Sequence, residues 1–352
     1  MTYSLSAGKF RSLRRLADAN GRFKMMAADQ RPPIIKAIDQ KLGAGSASYD
    51  RVGSVKRALV KSLAPASSAV LIDPDYGYSQ SYDIVPSSAG LLLTLEDFAF
   101  EESAGGRKTH LMKGWSVEKI RRAGADGVKL LLWYRPDVAL DVREHQHRLV
   151  REVGAACKAH DLAFLLELLV YPFAGAADHT TDYIEHRDKR PELVLQSVRD
   201  FAGSEYGVDI YKLESPLAAG DLPDPRGSGP EVDAAQKWFD DMGVLIDKPW
   251  VMLSAGAGME EFRRVLHYAF KAGANGFLAG RAIWWQSFLK AYPDVAAMEA
   301  LLANEGANYL AEINAMTDSM ARPWGEAPAF SGGITLKNAG QDFPSQYPSV
   351  AA

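Results

Sequence analysis

The chain has 352 residues, of which 47% are apolar and 24% charged, with 40 basic against 44 acidic side chains. This composition is typical of a globular protein and excludes disordered, collagen-like and coiled-coil chains. The formal net charge of -4 provides no basic surface for nucleic acid or an anionic membrane, so we expect neither as a partner. An anionic ligand must therefore be held by a few placed cations.

Cysteine content and hydropathy exclude further classes of protein. Cys157 is the only cysteine in the sequence, which rules out an internal disulfide and a cysteine-based zinc cluster. The N-terminal residues lack the apolar core of a signal peptide, and no later run of about 18 apolar residues is present to span a bilayer. We therefore expect a cytoplasmic protein.

Short apolar runs rich in β-branched or aromatic residues recur along the chain and predict strands. They are Phe23–Ala28, Ala69–Asp73, Gly90–Leu95, Gly127–Leu132, Ala163–Leu169, Asp209–Glu214, Trp250–Ser254 and Asn275–Ala279. Amphipathic segments between them predict the helices Tyr49–Leu63, Val117–Ala123, Val142–His160, Pro191–Ala202 and Met259–Ala272. Strands that alternate with helices pair in parallel, because each helix returns the chain to the same end of the sheet.

About eight such units in about 260 residues predict an α/β protein with a closed (β/α)8 barrel, also called a TIM barrel. An open, doubly wound sheet usually has a glycine-rich turn after its first strand, whereas this first strand runs into Asp29-Gln30-Arg31-Pro32-Pro33. We expect a single catalytic domain over residues 1–292. Residues 293–321 predict a helical extension packed on the barrel, and residues 322–352 predict an extended or partly disordered tail.

Three consecutive predicted strands carry charged residues inside apolar runs. Lys129 lies in strand four, Glu167 in strand five, and Lys212 and Glu214 in strand six. Because side chains alternate across a strand, all four are expected to face the barrel interior. Burying an unpaired charge is costly, so the cluster is either an internal salt-bridge network that fixes strand register or a functional site.

A lysine crowded by a second cation and partly desolvated keeps more of its amine neutral and nucleophilic. Such an amine can attack a ketone and form a carbinolamine and then an iminium ion, which withdraws electrons from the neighbouring carbon–carbon bond. Cleavage of that bond gives an enamine and an aldehyde. Glu167 is the candidate proton carrier, and Asp29, at the end of strand one, is a candidate for orienting substrate hydroxyls.

The last two predicted strands end in glycine-containing loops. Strand seven runs into Ser254-Ala255-Gly256-Ala257-Gly258, and strand eight runs into Gly280-Arg281-Ala282. Barrels of this type commonly bind phosphate between these two loops with backbone N–H groups, and an arginine adds a bidentate cation. The two loops together predict a phosphate site.

The histidines give little support to a metal site, because none of them ends a predicted strand. They are His110, His145, His147, His160, His179, His186 and His267. A metal-dependent lyase or isomerase is therefore the weaker alternative, and a regulator that senses sugar phosphates on the same barrel is another. We expect no metal and no separate cofactor.

The sequence resembles the class I tagatose-1,6-bisphosphate aldolase family, which belongs with the deoxyribose-phosphate-aldolase-like barrels. The similarity runs from about Lys24 to Trp285. The matching segments are Ala28-Asp29-Gln30-Arg31, Leu71–Gly77, Gly124–Lys129, Phe164–Glu167, Gly207–Glu214, Leu253–Gly256 and Gly280-Arg281-Ala282.

This resemblance implies that Lys212 forms the Schiff base, with Lys129 and Glu167 as its polar partners. It further implies that Asp29 and Gln30 lie near the substrate hydroxyls. Around a phosphate it places Ser254, Gly256, Gly280 and Arg281. The family reaction is the reversible, metal-free cleavage of a ketose 1,6-bisphosphate to dihydroxyacetone phosphate and glyceraldehyde 3-phosphate. The implied partner is a phosphorylated sugar, and a homo-oligomer is possible.

The segments Trp250–Ser254 and Gly273–Trp284 are also similar to 6-deoxy-6-sulfofructose-1-phosphate aldolases. Those enzymes share the dihydroxyacetone phosphate half of the substrate and have a sulfonate at the other end. This chain departs from both families in Pro32-Pro33, in segment 172–190 with His179 and His186, and in its long C-terminal tail. The sequence therefore leaves two alternatives for the group at carbon six of the substrate, a phosphate or a sulfonate.

Overall fold

A computed structural model describes residues 2–177, 179–181 and 191–349. Eight parallel strands form a closed barrel in which each strand pairs with the next and the last pairs with the first. They are β1 (Phe23–Ala27), β2 (Ala69–Ile72), β3 (Gly90–Thr94), β4 (Gly127–Trp133), β5 (Ala163–Leu169), β6 (Ile210–Leu213), β7 (Trp250–Met252) and β8 (Gly276–Ala279). The predicted (β/α)8 barrel is confirmed.

Helices follow the barrel strands, and one more helix precedes β1. The helices of six residues or more are Ala7–Leu16, Pro32–Leu42, Tyr49–Leu63, Val117–Arg122, Leu140–Ala159, Pro191–Phe201, Pro230–Gly243, Met259–Lys271, Arg281–Ala291, Val295–Leu301 and Ala307–Met320. Side-chain caps fix several helix starts. For example, the hydroxyl of Ser48 accepts a hydrogen bond from the N–H of Arg51, and that of Ser116 accepts one from Lys119. None of the helices in the described part of the chain has the length and apolar character needed to cross a bilayer.

The barrel interior is built in layers, because every second strand residue points inward. The lower layer is apolar and includes Met25, Leu165, Ile210 and Val251, and it continues into the helix Ala7–Leu16. An upper apolar layer near the carboxyl ends of the strands contains Leu131, Trp133, Leu169, Tyr171, Leu253 and Ala255. The inward residues between these two layers include Lys129, Glu167 and Lys212, together with the uncharged Thr94. The outward residues pack against the surrounding helices in the main hydrophobic core.

A two-stranded antiparallel hairpin lies beside the upper layer. Its strands are Glu101–Ser103 and Gly106–Lys108, inserted after β3. The buried guanidinium of Arg107 stacks on the rings of Phe100, Trp133 and Tyr171, with its central carbon 4.4 to 5.0 Å from their centroids. The hairpin thus covers the carboxyl end of the barrel beside β4 and β5.

The C-terminal segment returns to the opposite end of the barrel. Ile334–Leu336 pairs in parallel with Tyr3–Leu5. Trp324 and Phe330 are buried against the lower apolar layer, and the N–H of Trp324 donates to the carbonyl of Gly21 at 2.7 Å. The segment that the sequence predicts as a tail therefore contacts the amino-terminal end of the barrel over much of its described length.

Candidate active site

A carboxylate between two amines lies at the centre of the charged layer. One oxygen of Glu167 is 3.0 Å from the Nζ of Lys212, and the other is 3.1 Å from the Nζ of Lys129. Glu167 and Lys212 are directly opposed residues of β5 and β6, which fixes their approach. All three side chains are buried, with at most 3% of each exposed. One carboxylate is therefore in a position to exchange protons with either amine.

Two more carboxylates complete the surroundings of Lys129. Its Nζ donates to Asp29 at 2.9 Å and to Glu96 at 2.6 Å. The second oxygen of Glu96 accepts a hydrogen bond from the backbone N–H of Leu131 at 3.1 Å. A guanidinium nitrogen of Arg31 is 3.7 Å from Glu96. Lys129 is thus enclosed by three carboxylates.

These neighbours set the protonation state of the pair formed by Lys129 and Asp29. Burial alone lowers the pKa of the Lys129 amine, but the charges of Asp29, Glu167 and Glu96 outweigh burial and raise that pKa above its ordinary value. Burial alone raises the pKa of Asp29, but the positive charges of Lys129 and Lys212 outweigh it and hold that pKa below its usual range. Lys129 is therefore a fixed ammonium and Asp29 a fixed carboxylate at neutral pH.

A small cavity lies directly beside this cluster. Its volume is about 50 Å³, and Asp29, Gln30, Lys129 and Phe98 are among the residues that line it. Asp29 Oδ1 and Gln30 Oε1 are buried there and have no hydrogen-bond partner within the described residues. Two acceptors are thus available to polar groups of a ligand.

A larger cavity of about 620 Å³ opens between the loops after β6, β7 and β8. Gly256, Arg281 and Lys36 are among the residues that line it, and Ser254 is buried just before the loop that forms its wall. Gly256 has φ +88°, and a Cβ at this position would lie 3.2 Å from the Arg281 guanidinium carbon. The loop therefore needs glycine both for its backbone conformation and for contact with Arg281.

Pro33 lines both cavities. Gln30 lines the small cavity, and a Cβ on Gly280 would lie 3.0 Å from its amide nitrogen. Gly280 directly precedes Arg281 in the loop after β8. The predicted site residues thus form two groups, one around Glu167 and one around Arg281, with Gln30 and Gly280 between them.

Comparison with known proteins identifies the family. The sequence profile described as DeoC/LacD family aldolase matches residues 33–286. Tagatose 1,6-diphosphate aldolase 2 of Enterococcus faecalis (strain ATCC 700802 / V583) is 30% identical over 330 residues, which cover 91% of this chain and 97% of the relative. Tagatose 1,6-diphosphate aldolase 1 of Streptococcus mutans serotype c (strain ATCC 700610 / UA159) is 30% identical over 332 residues, with 92% and 99% covered. The chain belongs to the DeoC/LacD aldolase family.

Solved structures of aldolases share the fold of this aldolase. The structure of a Schiff-base-forming fructose-1,6-bisphosphate aldolase superposes with a TM-score of 0.55 at 16% identity, covering 88% of this chain and 99% of the other. A fructose-bisphosphate aldolase from Plasmodium falciparum gives a TM-score of 0.59 at 15% identity, with 91% and 98% covered. At these identities the likeness concerns the barrel architecture alone.

Glu96 and Arg31 of this aldolase belong to the charged cluster but were not among the predicted site residues. Glu96 comes two residues after the end of β3, and its 1% exposed side chain contacts Lys129. The carboxyl ends of barrel strands are where active-site residues are found, so a carboxylate directly after β3 is the signal that identifies it. Arg31 belongs to the segment Ala28-Asp29-Gln30-Arg31, which carries part of the family resemblance, but the sequence gives it no role.

Glu214 and segment 172–190 have other surroundings. Glu214 accepts a hydrogen bond from the N–H of Val170 at 2.7 Å, so this carboxylate fixes the end of β5. His179 lies 3.0 Å from Glu102 of the hairpin. Residues 178 and 182–190, among them His186, lie outside the described residues.

Proposed function

We propose that this aldolase cleaves tagatose 1,6-bisphosphate to dihydroxyacetone phosphate and glyceraldehyde 3-phosphate through an imine on Lys212, without a metal. The observation that carries the proposal is the arrangement of Glu167, with one oxygen on the Lys212 amine and the other on Lys129. The choice of substrate rests on the relatives, which are 30% identical and are named tagatose 1,6-diphosphate aldolases. The family membership supports the carbon–carbon lyase reaction.

The first half of the reaction joins Lys212 to the substrate. The neutral amine attacks the ketone carbon, the carbonyl oxygen takes up a proton, and a carbinolamine forms. Glu167, 3.0 Å from the Lys212 nitrogen, carries the proton that allows the hydroxyl to leave as water. The product is an iminium ion, whose positive charge lies beside the Glu167 carboxylate.

The second half breaks the bond between carbons three and four. A base removes the proton of the hydroxyl on carbon four, the bond electrons move into the iminium, and glyceraldehyde 3-phosphate leaves as an enamine forms. Protonation of the enamine at carbon three and addition of water then release dihydroxyacetone phosphate and free Lys212. Glu167 is the base nearest to the amine, and the unpartnered Oδ1 of Asp29 is placed to accept a substrate hydroxyl.

The remaining predicted residues suit the phosphate next to the ketone. Gly256, Gly280 and Arg281 lie at the ends of β7 and β8, and Arg281 borders the 620 Å³ cavity. Backbone N–H groups in such loops, together with a guanidinium, are well suited to a phosphate dianion. Gln30, whose Oε1 has no partner within the described residues, lines the small cavity and lies beside Gly280.

The test is chemical trapping. Borohydride with dihydroxyacetone phosphate should irreversibly label the wild-type protein at Lys212, as read by peptide mass spectrometry. Lys212→Met should lose the label and at least several powers of ten in cleavage rate, because the covalent route is gone. Lys237→Met changes a lysine whose side chain is 73% exposed and is the matched control. It should keep both the label at Lys212 and the wild-type cleavage rate. Full activity in Lys212→Met would exclude the proposed nucleophile.

Substrate choice and metal dependence need separate assays. Cleavage of tagatose bisphosphate, fructose bisphosphate and 6-deoxy-6-sulfofructose 1-phosphate at matched concentrations should favour tagatose bisphosphate. A preference for the sulfonate would move the assignment to the alternative substrate. Activity should survive exhaustive chelation, and its loss would favour a metal-dependent lyase.

A further inference from the structure

A second buried ion pair lies beneath the loop that carries Asp29. Lys56, on the helix Tyr49–Leu63, and Asp73, directly after β2, are both fully buried and form an ion pair. The Lys56 ammonium also donates to the carbonyl oxygens of Ala28 and Gln30, each at 2.7 Å. Its three donors therefore have three acceptors, which is the full capacity of an ammonium group.

The two carbonyls that Lys56 binds are those on either side of Asp29. A single buried cation thus holds the backbone before and after this residue, while the Asp29 carboxylate reaches Lys129 at 2.9 Å. The anion of the pair is held equally firmly, because the other oxygen of Asp73 accepts from the N–H of Tyr76 at 2.8 Å. The loop after β1 is therefore tied to the turn after β2 through one charged contact.

We propose that Lys56 is a positioning residue, which holds Asp29 at the place where its free oxygen meets a substrate hydroxyl. The inference rests on the proposed function and goes beyond it, since Lys56 is fully buried and takes no part in the proposed chemical steps. The loop after β1 contains no regular structure between Ala27 and Pro32, so its conformation depends on such external contacts. Misplacement of a catalytic group by about 1 Å can cost a factor of about 100 in rate.

The test is a double-mutant cycle on the cleavage rate. Asp29→Asn alone should lower kcat by a factor of about 100 or more, which is typical of losing a group that handles substrate protons or hydroxyls. Lys56→Met alone should lower kcat by about 100-fold, with a smaller change in KM. In the Asp29→Asn background, Lys56→Met should lower kcat by less than about threefold, because the residue it positions is already disabled.

The matched control is a buried pair at the other end of the barrel. Lys9 and Asp209 form an ion pair with an Nζ to Oδ2 distance of 2.5 Å, and their side chains are 8% and 11% exposed. Lys9→Met should lower the free energy of unfolding in the way Lys56→Met does. It should leave kcat within about twofold of wild type, both with and without Asp29→Asn.

If the Lys56→Met protein does not fold, the double variant Lys56→Met/Asp73→Asn is used instead. It removes both charges of the ion pair and takes the place of Lys56→Met in the cycle. Equal loss of kcat by the Lys56 change in both Asp29 backgrounds would overturn the proposal. So would an Asp29→Asn variant with wild-type kcat. Borohydride labelling at Lys212 is measured in the wild type and in every variant. Absence of the label in the wild type would contradict the proposed lysine imine, which is a different result from a failure of the Lys56 assignment.

Discussion

Close pairing of opposite charges around Glu167 explains how so many ionisable groups are tolerated inside the barrel. Lys129 lies within 3.1 Å of Asp29, Glu96 and Glu167, and Lys212 lies 3.0 Å from Glu167. Arg31 is shared between Asp75 at 3.2 Å and Glu96 at 3.7 Å. The carboxylates around these cations thus outnumber them by one. An iminium on the Lys212 nitrogen adds a positive charge that a neutral amine lacks, so the cluster favours the charged intermediate over the free amine.

The shifted pKa values of Asp29 and Lys129 predict where stability depends on pH. The pKa of Asp29 is lower in the folded protein, so its contribution to stability is complete above about pH 4, the unfolded value, and declines as the pH falls further. The pKa of Lys129 is raised, so its contribution is complete below about pH 10 and declines at higher pH. Between pH 5 and 9 neither residue should change protonation.

Denaturant unfolding of wild type and Asp29→Asn at several pH values tests this expectation. The difference in the free energy of unfolding should be constant from pH 5 to 9 and should shrink by pH 3.5. A difference at pH 3.5 as large as that at pH 7 would contradict the assigned carboxylate. Asp50→Asn, at an exposed position in the first turn of the helix Tyr49–Leu63, provides a variant of the same chemistry outside the barrel.

At the scale of elements, the barrel strands were predictable because their sequence pattern is strong. All eight were predicted from apolar runs, with ends that differ from the structure by no more than two residues. Lys129, Glu167 and Lys212 were noticed because each interrupts such a run. Glu96 and Lys56 were not, since one follows a strand in a polar stretch and the other looks like an ordinary helix lysine. Their roles depend on contacts between distant segments, which the local pattern does not contain.

In the loop after β7, we expect the addition of a single methyl group at Gly256 to weaken substrate binding. Gly256→Ala places a Cβ about 3.2 Å from the Arg281 guanidinium and forces a side chain onto a backbone with φ +88°. We expect KM for the phosphorylated substrate to rise about tenfold, because weakening one charge-assisted contact costs about 1.4 kcal/mol or more.

Gly45→Ala is the control for backbone strain alone. Gly45 has a similar φ of +76°, and a Cβ there would meet nothing within 4 Å. It should lose comparable stability and keep its KM. Steady-state kinetics of the two variants separate strain from the contact with Arg281, and equal KM values would remove Arg281 from the phosphate site.

At the scale of the molecule, the charged layer lies between two apolar layers. The cavity beside Lys129 has a volume of about 50 Å³, whereas sites for small molecules usually measure about 300–1,000 Å³. We therefore expect the upper layer and the hairpin Glu101–Lys108 to shift when a ketose bisphosphate enters. The amines and carboxylates of the charged layer are buried in the structure without substrate.

We expect a substitution in the lower apolar layer to lower the stability of the protein without changing its catalytic rate. Trp324 is 5% exposed and packs edge-on against Phe330, with ring centroids 5.5 Å apart. Trp324→Ala should lower the free energy of unfolding by about 3–5 kcal/mol, the usual range for a large aromatic removed from a core. The value of kcat should stay within about twofold of wild type, since the charged layer is untouched.

Leu336→Ala, at a position that is 42% exposed, is the comparison for the same segment and should cost less than about 0.5 kcal/mol. Urea unfolding and cleavage kinetics measure both quantities. A Trp324→Ala protein with unchanged stability would mean that the C-terminal segment does not stabilise the barrel.

The pairing of Tyr3–Leu5 with Ile334–Leu336 has a practical result for anyone who handles the enzyme. Both of these segments lie at the amino-terminal end of the barrel, remote from the carboxyl ends of the strands. An affinity tag, a fluorophore or a surface tether attached at either end would therefore point away from the entrance used by sugar. Immobilised or fused versions should turn over substrate as freely as the untagged enzyme does.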